Sequence, residues 1–195
     1  MILAGVDEAG RGPLAGPVMA AAVILSPEQK NVLVQSGLRD SKKLSAKKRE
    51  KLFGLMQELG VVWRLQAASR RRIDRMNILQ ATLWAMARAV NRLPATPDGV
   101  AVDGSQEIPG ISLYQQAIVG GDDLYPEISA ASVVAKVVRD RLMTALDRLY
   151  PGYGLAQHKG YGTAQHQEAL LRLGLTPLHR RSFCWGTADG LRLPR

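Results

Sequence analysis

The sequence contains one cysteine, Cys184, among 195 residues, and this scarcity excludes two kinds of site. A single cysteine cannot form an internal disulfide, and it cannot build a zinc site from several thiolates. No apolar run reaches the ~18 residues that indicate a membrane-spanning helix, and no secretory signal pattern opens the chain. We therefore expect a cytoplasmic protein that does not span a membrane, and we interpret Cys184 as a small apolar side chain.

Two common ligand-binding patterns are missing as well. His158 and His166 are spaced too widely for a metal-binding pair on one helix, and histidines in such surroundings more often contact a phosphate or a backbone group. Gly10, Gly12 and Gly16 do not have the G-x-G-x-x-G spacing of a dinucleotide-binding loop, and the carboxylates before them would repel a pyrophosphate. These observations argue against a histidine-bound metal and against a dinucleotide cofactor.

What the sequence has in excess is positive charge. Its 26 lysine and arginine residues against 17 acidic residues give a net charge of +9 and an isoelectric point near 10.1. A basic surface attracts polyanions, of which nucleic acids are the commonest, although charge alone does not separate an enzyme from a basic binding protein. The length and a hydrophobic content of 46% fit one globular domain with room for a small appendage.

The residues best placed for chemistry follow the first apolar run, at 2–6. Two adjacent carboxylates, Asp7 and Glu8, end this run and precede the glycine loop Gly10-Arg11-Gly12. An acidic pair beside an arginine suits a divalent metal next to a phosphodiester. Because neighbouring strand residues point to opposite faces, both acids can bind one ion only if the backbone bends, which the glycines would permit. A plain glycine turn with a solvated acidic pair is the alternative.

A similar arrangement recurs at residues 100–102, a short apolar run that ends in Asp103 and Gly104. The carboxyl ends of strands are where an open α/β sheet presents its ligands. We therefore expect Asp103 to share a site with Asp7 and Glu8.

The apolar periodicity predicts an α/β layer structure with a mixed sheet. The expected strands are 2–6, 18–25, 61–67, 100–102 and 115–119, and the expected helices are 46–59, one that follows 73–77 and ends near 93, 128–150 and 164–173. We interpret 26–37 as a connector. After a turn-rich break at 151–154, Tyr161 lies between glycines near Lys159, which is typical of a ring that stacks on a sugar or base beside a phosphate-binding cation.

Five segments, in this order along the chain, resemble motifs of the type 2 ribonuclease H family, and of bacterial ribonuclease HII in particular. They are GVDEAGRGP at 5–13, DSKKL at 40–44, VDG at 102–104, GD at 121–122 with ISAASVVAKV at 128–137, and HKGY at 158–161. Because these segments span nearly the whole chain and several are long, the resemblance is specific.

The resemblance implies a ribonuclease H-like α/β fold, with a mixed, mostly parallel central sheet flanked by helices and a small helical C-terminal extension. It divides the chain into a catalytic domain at 1–150 and an extension at 151–195 that packs on it and contributes to substrate binding. It also implies a monomer whose partners are RNA–DNA hybrids and duplex DNA that contains ribonucleotides.

The implied activity is hydrolysis of the RNA strand of hybrids, and incision 5′ to single ribonucleotides in duplex DNA, as part of their removal from DNA. The ends left are a 3′-hydroxyl and a 5′-phosphate. By resemblance, the catalytic acids that hold two ions of Mg²⁺ or Mn²⁺ are Asp7, Glu8, Asp103 and Asp122, the last chosen over Asp123 because of the glycine before it and its spacing to the following proline.

The resemblance also implies which residues bind the substrate. The loop that reads the ribose 2′-hydroxyl falls on Gly10, Arg11 and Gly12, and the tyrosine that packs against the following deoxyribose falls on Tyr161. The remaining substrate-binding positions are Ser41, Lys42, Lys43 and Lys159.

The sequence departs from the family pattern at Gly120, where members commonly have a lysine. Because glycine has no side chain, this change puts the phosphate contact of that lysine in doubt. The run Arg70–Arg72 is more basic than usual, which we interpret as extra attraction for phosphates. Two competing hypotheses are another nuclease of the same fold class, such as a junction resolvase or transposase-like enzyme, and a non-catalytic nucleic-acid-binding protein.

Overall fold

A five-stranded sheet forms the centre of the computed structural model, which describes residues 2–38 and 44–183. The strands are β1 (Leu3–Ala9), β2 (Val18–Ile24), β3 (Val62–Ala68), β4 (Gly99–Asp103) and β5 (Tyr114–Ile118), in the spatial order β3-β2-β1-β4-β5. The five predicted strands are therefore confirmed, with β5 at an edge of the sheet.

The sheet is mixed, as predicted, but it is not mostly parallel. β2 pairs antiparallel with β1 and β3, whereas β4 lies parallel to β1 and β5. The two kinds of pairing are thus equal in number among the described strands, and this detail of the prediction is wrong. The short loop at 10–17 returns the chain directly and makes an antiparallel hairpin, since parallel neighbours need longer connections.

The described ranges contain eight helices. They are α1 (Pro27–Gln35), α2 (Ala46–Glu58), α3 (Arg70–Met76), α4 (Ile78–Val90), α5 (Gly121–Leu124), α6 (Pro126–Leu149), α7 (Leu155–His158) and α8 (Ala164–Leu173). The four predicted helices correspond to α2, α4, α6 and α8, and the short helices α3, α5 and α7 lie where no helix is predicted. None of the helices in these ranges has both the length and the hydropathy needed to cross a bilayer.

Helix α1 corrects the interpretation of 26–37 as a connector. The Ser26 hydroxyl accepts the Gln29 N–H at 3.2 Å, and the Gln29 side chain accepts the Ser26 N–H at 2.9 Å. This reciprocal capping box satisfies amides that the first turn of a helix leaves without partners, and Pro27 supplies a preset first helical position. The helix therefore starts from local signals although its sequence is largely polar.

Helices cover both faces of the sheet, and β2 alternates between the two cores. Ala21 and Val23 pack in the core that contains α2 and α6, whereas Ala20 and Ala22 pack in the core that contains α4. In β1, Val6 belongs to the α4 core. Because side chains alternate along a strand, Asp7 shares the opposite face, towards α6.

The start of α6 lies directly against β1 because residue 5 is glycine. A Cβ atom on Gly5 would lie 2.1 Å from the carbonyl carbon of Glu127, in the first turn of α6. No side chain fits in that space, so any residue larger than glycine would force the helix away from the strand. Gly5 therefore brings the first turns of α6 next to the acidic end of β1.

The segment after α6 packs on the loop at 10–17. A third core cluster joins Ala15 of this loop to Met143 of α6 and to Tyr153, Leu155 and Leu170. The Leu14 N–H donates to the Gly160 carbonyl at 2.8 Å. The C-terminal helices are thus attached to the loop that follows the acidic pair.

The three histidines of the chain form a cluster of neighbouring rings within this segment. His158 stacks on His166 with ring centroids 4.4 Å apart, and His166 Nε2 lies 3.1 Å from His179 Nε2. Because His179 Nδ1 accepts the Thr176 N–H at 2.8 Å, its Nε2 carries the proton and donates to His166. Burial, and then repulsion by the neighbouring imidazole, lower the pKa of His179 to about 4. This histidine is therefore neutral at pH 7.

Lowering the pH from 6.5 towards 4 should reduce the free energy of unfolding through His179. The unfolded histidine, with a pKa of 6.5, binds a proton in this window, whereas the folded one, with a pKa of about 4, does not. The loss should reach about 2 kcal/mol across the window, measured by urea denaturation at several pH values. His179→Gln, which cannot titrate, should show a flatter pH dependence, and an equally steep one would contradict the prediction.

Candidate active site

Three carboxylates from separate elements meet near the C-terminal ends of strands β1 and β4. Asp7 of β1, Asp103 at the end of β4 and Asp122 of α5 each offer an oxygen, and these oxygens all lie within 4.8 Å of one another. Asp7 and Asp122 are each only 3% exposed. Since β1 and β4 are parallel neighbours, their carboxyl ends deliver the first two acids to the same edge.

The turn before α6 delivers the third acid. The Gly121 N–H donates to Asp103 Oδ1 at 2.9 Å, and the Ser129 hydroxyl donates to the main-chain carbonyl of Asp122 at 2.8 Å. Asp123, the next residue, is exposed. These bonds tie α5 to β4 and α6, and they place Asp122 rather than Asp123 in the cluster.

Burial and like charge act together on Asp7. Burial raises the pKa of Asp7 well above its usual value of 3.8, and the negative charges of Glu8 and Asp103 raise it further. Hydrogen bonds from the Ser132 hydroxyl and from the Glu8 N–H, 2.6 Å from Asp7 Oδ1, oppose this rise without cancelling it. A cation among these groups would stabilise the ionised form of Asp7.

The donor set fits a hard divalent cation. Asp7, Asp103 and Asp122 offer oxygen ligands only, which favour Mg²⁺ or Mn²⁺ over zinc. These three residues would hold the ion, and the ion would polarise a phosphoryl oxygen as a Lewis acid.

Glu8 lies outside this set of three mutually close carboxylates. The backbone bend expected at the acidic pair does not occur, because β1 stays paired with β2 at Asp7, Glu8 and Ala9. Adjacent residues of a continuous strand alternate between its two faces, which separates Glu8 from the close set, although its negative charge still acts on Asp7. The Arg11 guanidinium, half exposed, lies 3.5 Å from Oε1 of Glu8, whose side chain is 14% exposed.

The glycine loop and Tyr161 lie side by side, as the sequence predicts for a shared site. A Cβ atom on Gly12 would contact the Tyr161 ring at 3.6 Å. The Tyr161 side chain is 43% exposed, and the Lys136 ammonium lies 5.9 Å from the ring centroid. The Arg11 side chain is half exposed. An exposed ring near a lysine can stack on a sugar while the cation contacts a phosphate.

The predicted site residue Lys159 is bonded within the protein. Its ammonium donates to the Thr144 hydroxyl at 2.8 Å and to the Ala156 carbonyl, away from the Tyr161 ring. The backbone of Lys159 is left-handed with a φ of 53°, and Gly160, between Lys159 and Tyr161, has a φ of 85°. The predicted residues Ser41, Lys42 and Lys43 lie outside the described residues.

The two departures from the family pattern have local explanations. Gly120 has a φ of 69° and precedes α5, where a left-handed residue starts the turn that carries Asp122. Arg70 donates to the Pro177 carbonyl at 3.1 Å, and Arg72 lies 3.7 Å above the Trp84 ring. Two of the three arginines at 70–72 therefore make contacts within the protein, in addition to any attraction for phosphates.

Three residues near the site are not among the site residues predicted from the sequence. Ser132 bonds the Asp7 carboxylate, and its only signal is a polar residue one turn after Ser129 on an alanine-rich helix. Arg139 and Arg180 are completely buried beneath the glycine loop. They carry no sequence signal, since an arginine in a basic protein is expected at the surface.

Known proteins are similar to this chain in sequence and in fold. A sequence profile described as ribonuclease HII matches residues 4–185. The ribonuclease HII of Acinetobacter baylyi is 54% identical over 182 residues, which cover 93% of this chain and 94% of the relative. The ribonuclease H2 of Pyrococcus horikoshii OT3 has a TM-score of 0.78 at 29% identity, with 94% of each chain covered. A structure of the PCNA:RNase HII complex from Archaeoglobus fulgidus gives 0.80 at 27%, covering 98% of this chain and 100% of that one.

These matches confirm the α/β fold class and the family that the motifs indicate. They also set aside the competing interpretations of a junction resolvase or transposase-like nuclease and of a non-catalytic binding protein. The chain therefore belongs to the ribonuclease HII family and is a metal-dependent ribonuclease H.

Proposed function

We propose that this protein hydrolyses the RNA strand of RNA–DNA hybrids and incises duplex DNA on the 5′ side of a single embedded ribonucleotide. The products carry 3′-hydroxyl and 5′-phosphate ends, and the reaction serves to remove ribonucleotides from DNA. The observation that carries the proposal is the position of the three-carboxylate cluster beside the glycine loop. Only Glu8 and Ala9 separate Asp7 from Gly10, so a ribose held at the loop would leave its phosphodiester next to the carboxylates.

The proposed metal ligands are the four acids Asp7, Glu8, Asp103 and Asp122. Two divalent ions, Mg²⁺ or Mn²⁺, would supply an activated water on one side of the phosphorus and stabilise the leaving oxygen on the other. The inclusion of Glu8 is supported by the effect of its charge on the pKa of Asp7. Ser132 holds the Asp7 carboxylate by a hydrogen bond, and Gly121 holds that of Asp103.

Selectivity for a ribonucleotide requires a contact with the 2′-hydroxyl, the group that DNA lacks. Main-chain groups of Gly10, Arg11 and Gly12 make this contact in our proposal, since a glycine backbone can approach a sugar where side chains would collide. The exposed Tyr161 ring, next to Gly12, packs against the deoxyribose that follows. The two elements together recognise a junction from RNA to DNA.

The remaining parts of the proposal concern the surface and the assembly. Lys159 and the segment Ser41, Lys42 and Lys43 contact phosphates, which the net charge of +9 supports. Residues 151–195 form an extension on a catalytic domain at 1–150 and contribute Tyr161 to substrate binding. A monomeric state and a cytoplasmic location stay predictions.

Asp7→Asn should reduce cleavage of a duplex with one ribonucleotide by at least about 100-fold, because the site loses a metal ligand. Binding of the duplex should stay within about threefold of wild type, since the phosphate contacts that provide affinity are intact. Without metal, the melting temperature of Asp7→Asn should not fall below that of wild type, because the substitution removes a buried negative charge that its neighbours repel. Asp123→Asn, at the exposed neighbour of Asp122, serves as the control and should cleave normally. A fully active Asp7→Asn variant would contradict the proposed site.

Tyr161→Ala should reduce kcat/KM for a duplex with one ribonucleotide by about 5- to 100-fold, the range for loss of one stacking contact. Cleavage inside a long RNA–DNA hybrid, where no deoxyribose follows the cut, should change less. Tyr161→Phe retains the ring and should behave like wild type on both substrates. Steady-state kinetics on the two substrates checks this, and an equal loss on both would refute the junction role of Tyr161.

A further inference from the structure

Two arginines are completely buried beneath the glycine loop, where charged side chains are rarely found. Arg139 belongs to α6 and Arg180 follows α8, and both are 0% exposed. Burial lowers the pKa of both guanidinium groups, that of Arg180 to about 9, and Arg139 repels the charge of Arg180. Neither makes an ion pair with a carboxylate of the described residues. Pairing with acidic side chains therefore does not explain why these two charges are buried.

Arg180 is bonded to both ends of the loop at 10–17, which begins with the glycine loop Gly10-Arg11-Gly12. Its Nη2 donates to the Gly10 carbonyl at 2.6 Å, its Nη1 to the Arg11 carbonyl at 2.7 Å, and its Nε to the Gly16 carbonyl at 3.0 Å. A planar guanidinium can hold three carbonyls in a fixed arrangement, which a lysine ammonium on a flexible stem cannot. Arg180 thus fixes the path of the loop from its first residue to its last glycine.

Arg139 connects the same loop to the segment of Tyr161. Its Nε donates to the Pro17 carbonyl at 3.0 Å, its Nη2 to the Ala15 carbonyl at 3.2 Å, and its Nη1 to the Lys159 carbonyl at 3.0 Å. Its side chain also occupies the space beside Gly10, where a Cβ atom would lie 2.0 Å from Arg139 Nε and where φ is 95°. The glycine loop and the residues just before Tyr161 therefore share one buried anchor.

The bonds from Arg180 determine which groups the loop presents. In a trans peptide the C=O and N–H bonds point in opposite directions. Because the carbonyls of Gly10 and Arg11 point inward to Arg180, the N–H groups of Arg11 and Gly12 point away from it. Neither amide donates to another atom of the described residues. Two adjacent N–H donors are thus available on the exposed side of the loop, with the buried positive charge at the oxygen ends of their dipoles.

We propose that Arg139 and Arg180 are positioning residues for ribonucleotide recognition, which hold the loop amides and Tyr161 in the arrangement that accepts the 2′-hydroxyl and its phosphate. This inference rests on the proposed function. The six hydrogen bonds of the two guanidiniums end on the loop at 10–17 or on the segment of Tyr161, and none ends on the carboxylate cluster. Their loss should therefore affect selection of the ribonucleotide rather than the metal ligands.

The test compares the affinities of variants for two DNA duplexes that differ by a single 2′-hydroxyl group. Arg180→Lys and Arg139→Lys keep the charge but replace three donor atoms in a rigid plane by one nitrogen on a flexible stem, which cannot reach the same three carbonyls. Both are made in the Asp7→Asn chain, whose cleavage should be reduced at least about 100-fold, and fluorescence anisotropy without divalent metal gives the dissociation constants. Met56→Ala is the control, because it removes a buried side chain of α2 that does not belong to the core cluster of the loop. Thermal melting measures the stability of each variant.

We expect each lysine variant to lose about 10- to 100-fold in affinity for the ribonucleotide duplex, with the affinity for the all-DNA duplex unchanged. Met56→Ala should keep the ratio of the two affinities, even if its melting temperature falls as far as those of the lysine variants. If Arg180→Lys does not fold, Arg139→Lys decides by the same ratio.

Two results would overturn the inference and leave the proposed function intact. They are an unchanged affinity ratio in a folded lysine variant, and an equal loss of affinity for both duplexes. If the Asp7→Asn parent itself does not distinguish the duplexes, the proposed recognition of the ribonucleotide fails, and the inference fails with it.

Discussion

The repulsion among buried carboxylates is the constraint on which the rest of the structure depends. Asp7, Asp103 and Asp122 converge from β1, β4 and α5, and the pKa of Asp7 is raised because burial and like charge both oppose its ionisation. Such a cluster does not favour folding by itself, so a metal-binding role explains why it exists. The net charge of +9 over the whole chain offsets this local negative charge and attracts a polyanionic substrate.

One helix connects the acidic cluster to the glycine loop. Gly5 lets α6 begin against β1, and the same helix then places Ser132 on the Asp7 carboxylate and Arg139 beneath the loop. One helix of 24 residues thus contacts both the carboxylate cluster and the glycine loop. Arg180 closes the arrangement from the other end of the chain, since its bond to Gly10 joins residues 170 positions apart.

The sequence was sufficient where a local pattern reports directly on structure. Apolar runs located the strands, and acids at strand ends located Asp7 and Asp103. Position that depends on distant contacts was less predictable: Glu8 stays in the strand paired with β2, outside the three mutually close carboxylates, and the Lys159 ammonium bonds the Thr144 hydroxyl. The buried arginines carry no local signal, because their carbonyl partners are fixed only by the complete fold.

The most direct test of the account is to map the cuts in a labelled DNA duplex that contains one ribonucleotide, with Mg²⁺ or Mn²⁺ present. An all-DNA duplex and a metal-free reaction serve as controls. We expect a single cut on the 5′ side of the ribonucleotide. This cut should leave a 3′-hydroxyl and should require the metal. Cleavage only inside long RNA–DNA hybrids would contradict the proposed recognition by the glycine loop and Tyr161, while leaving the carboxylate cluster as the catalytic centre.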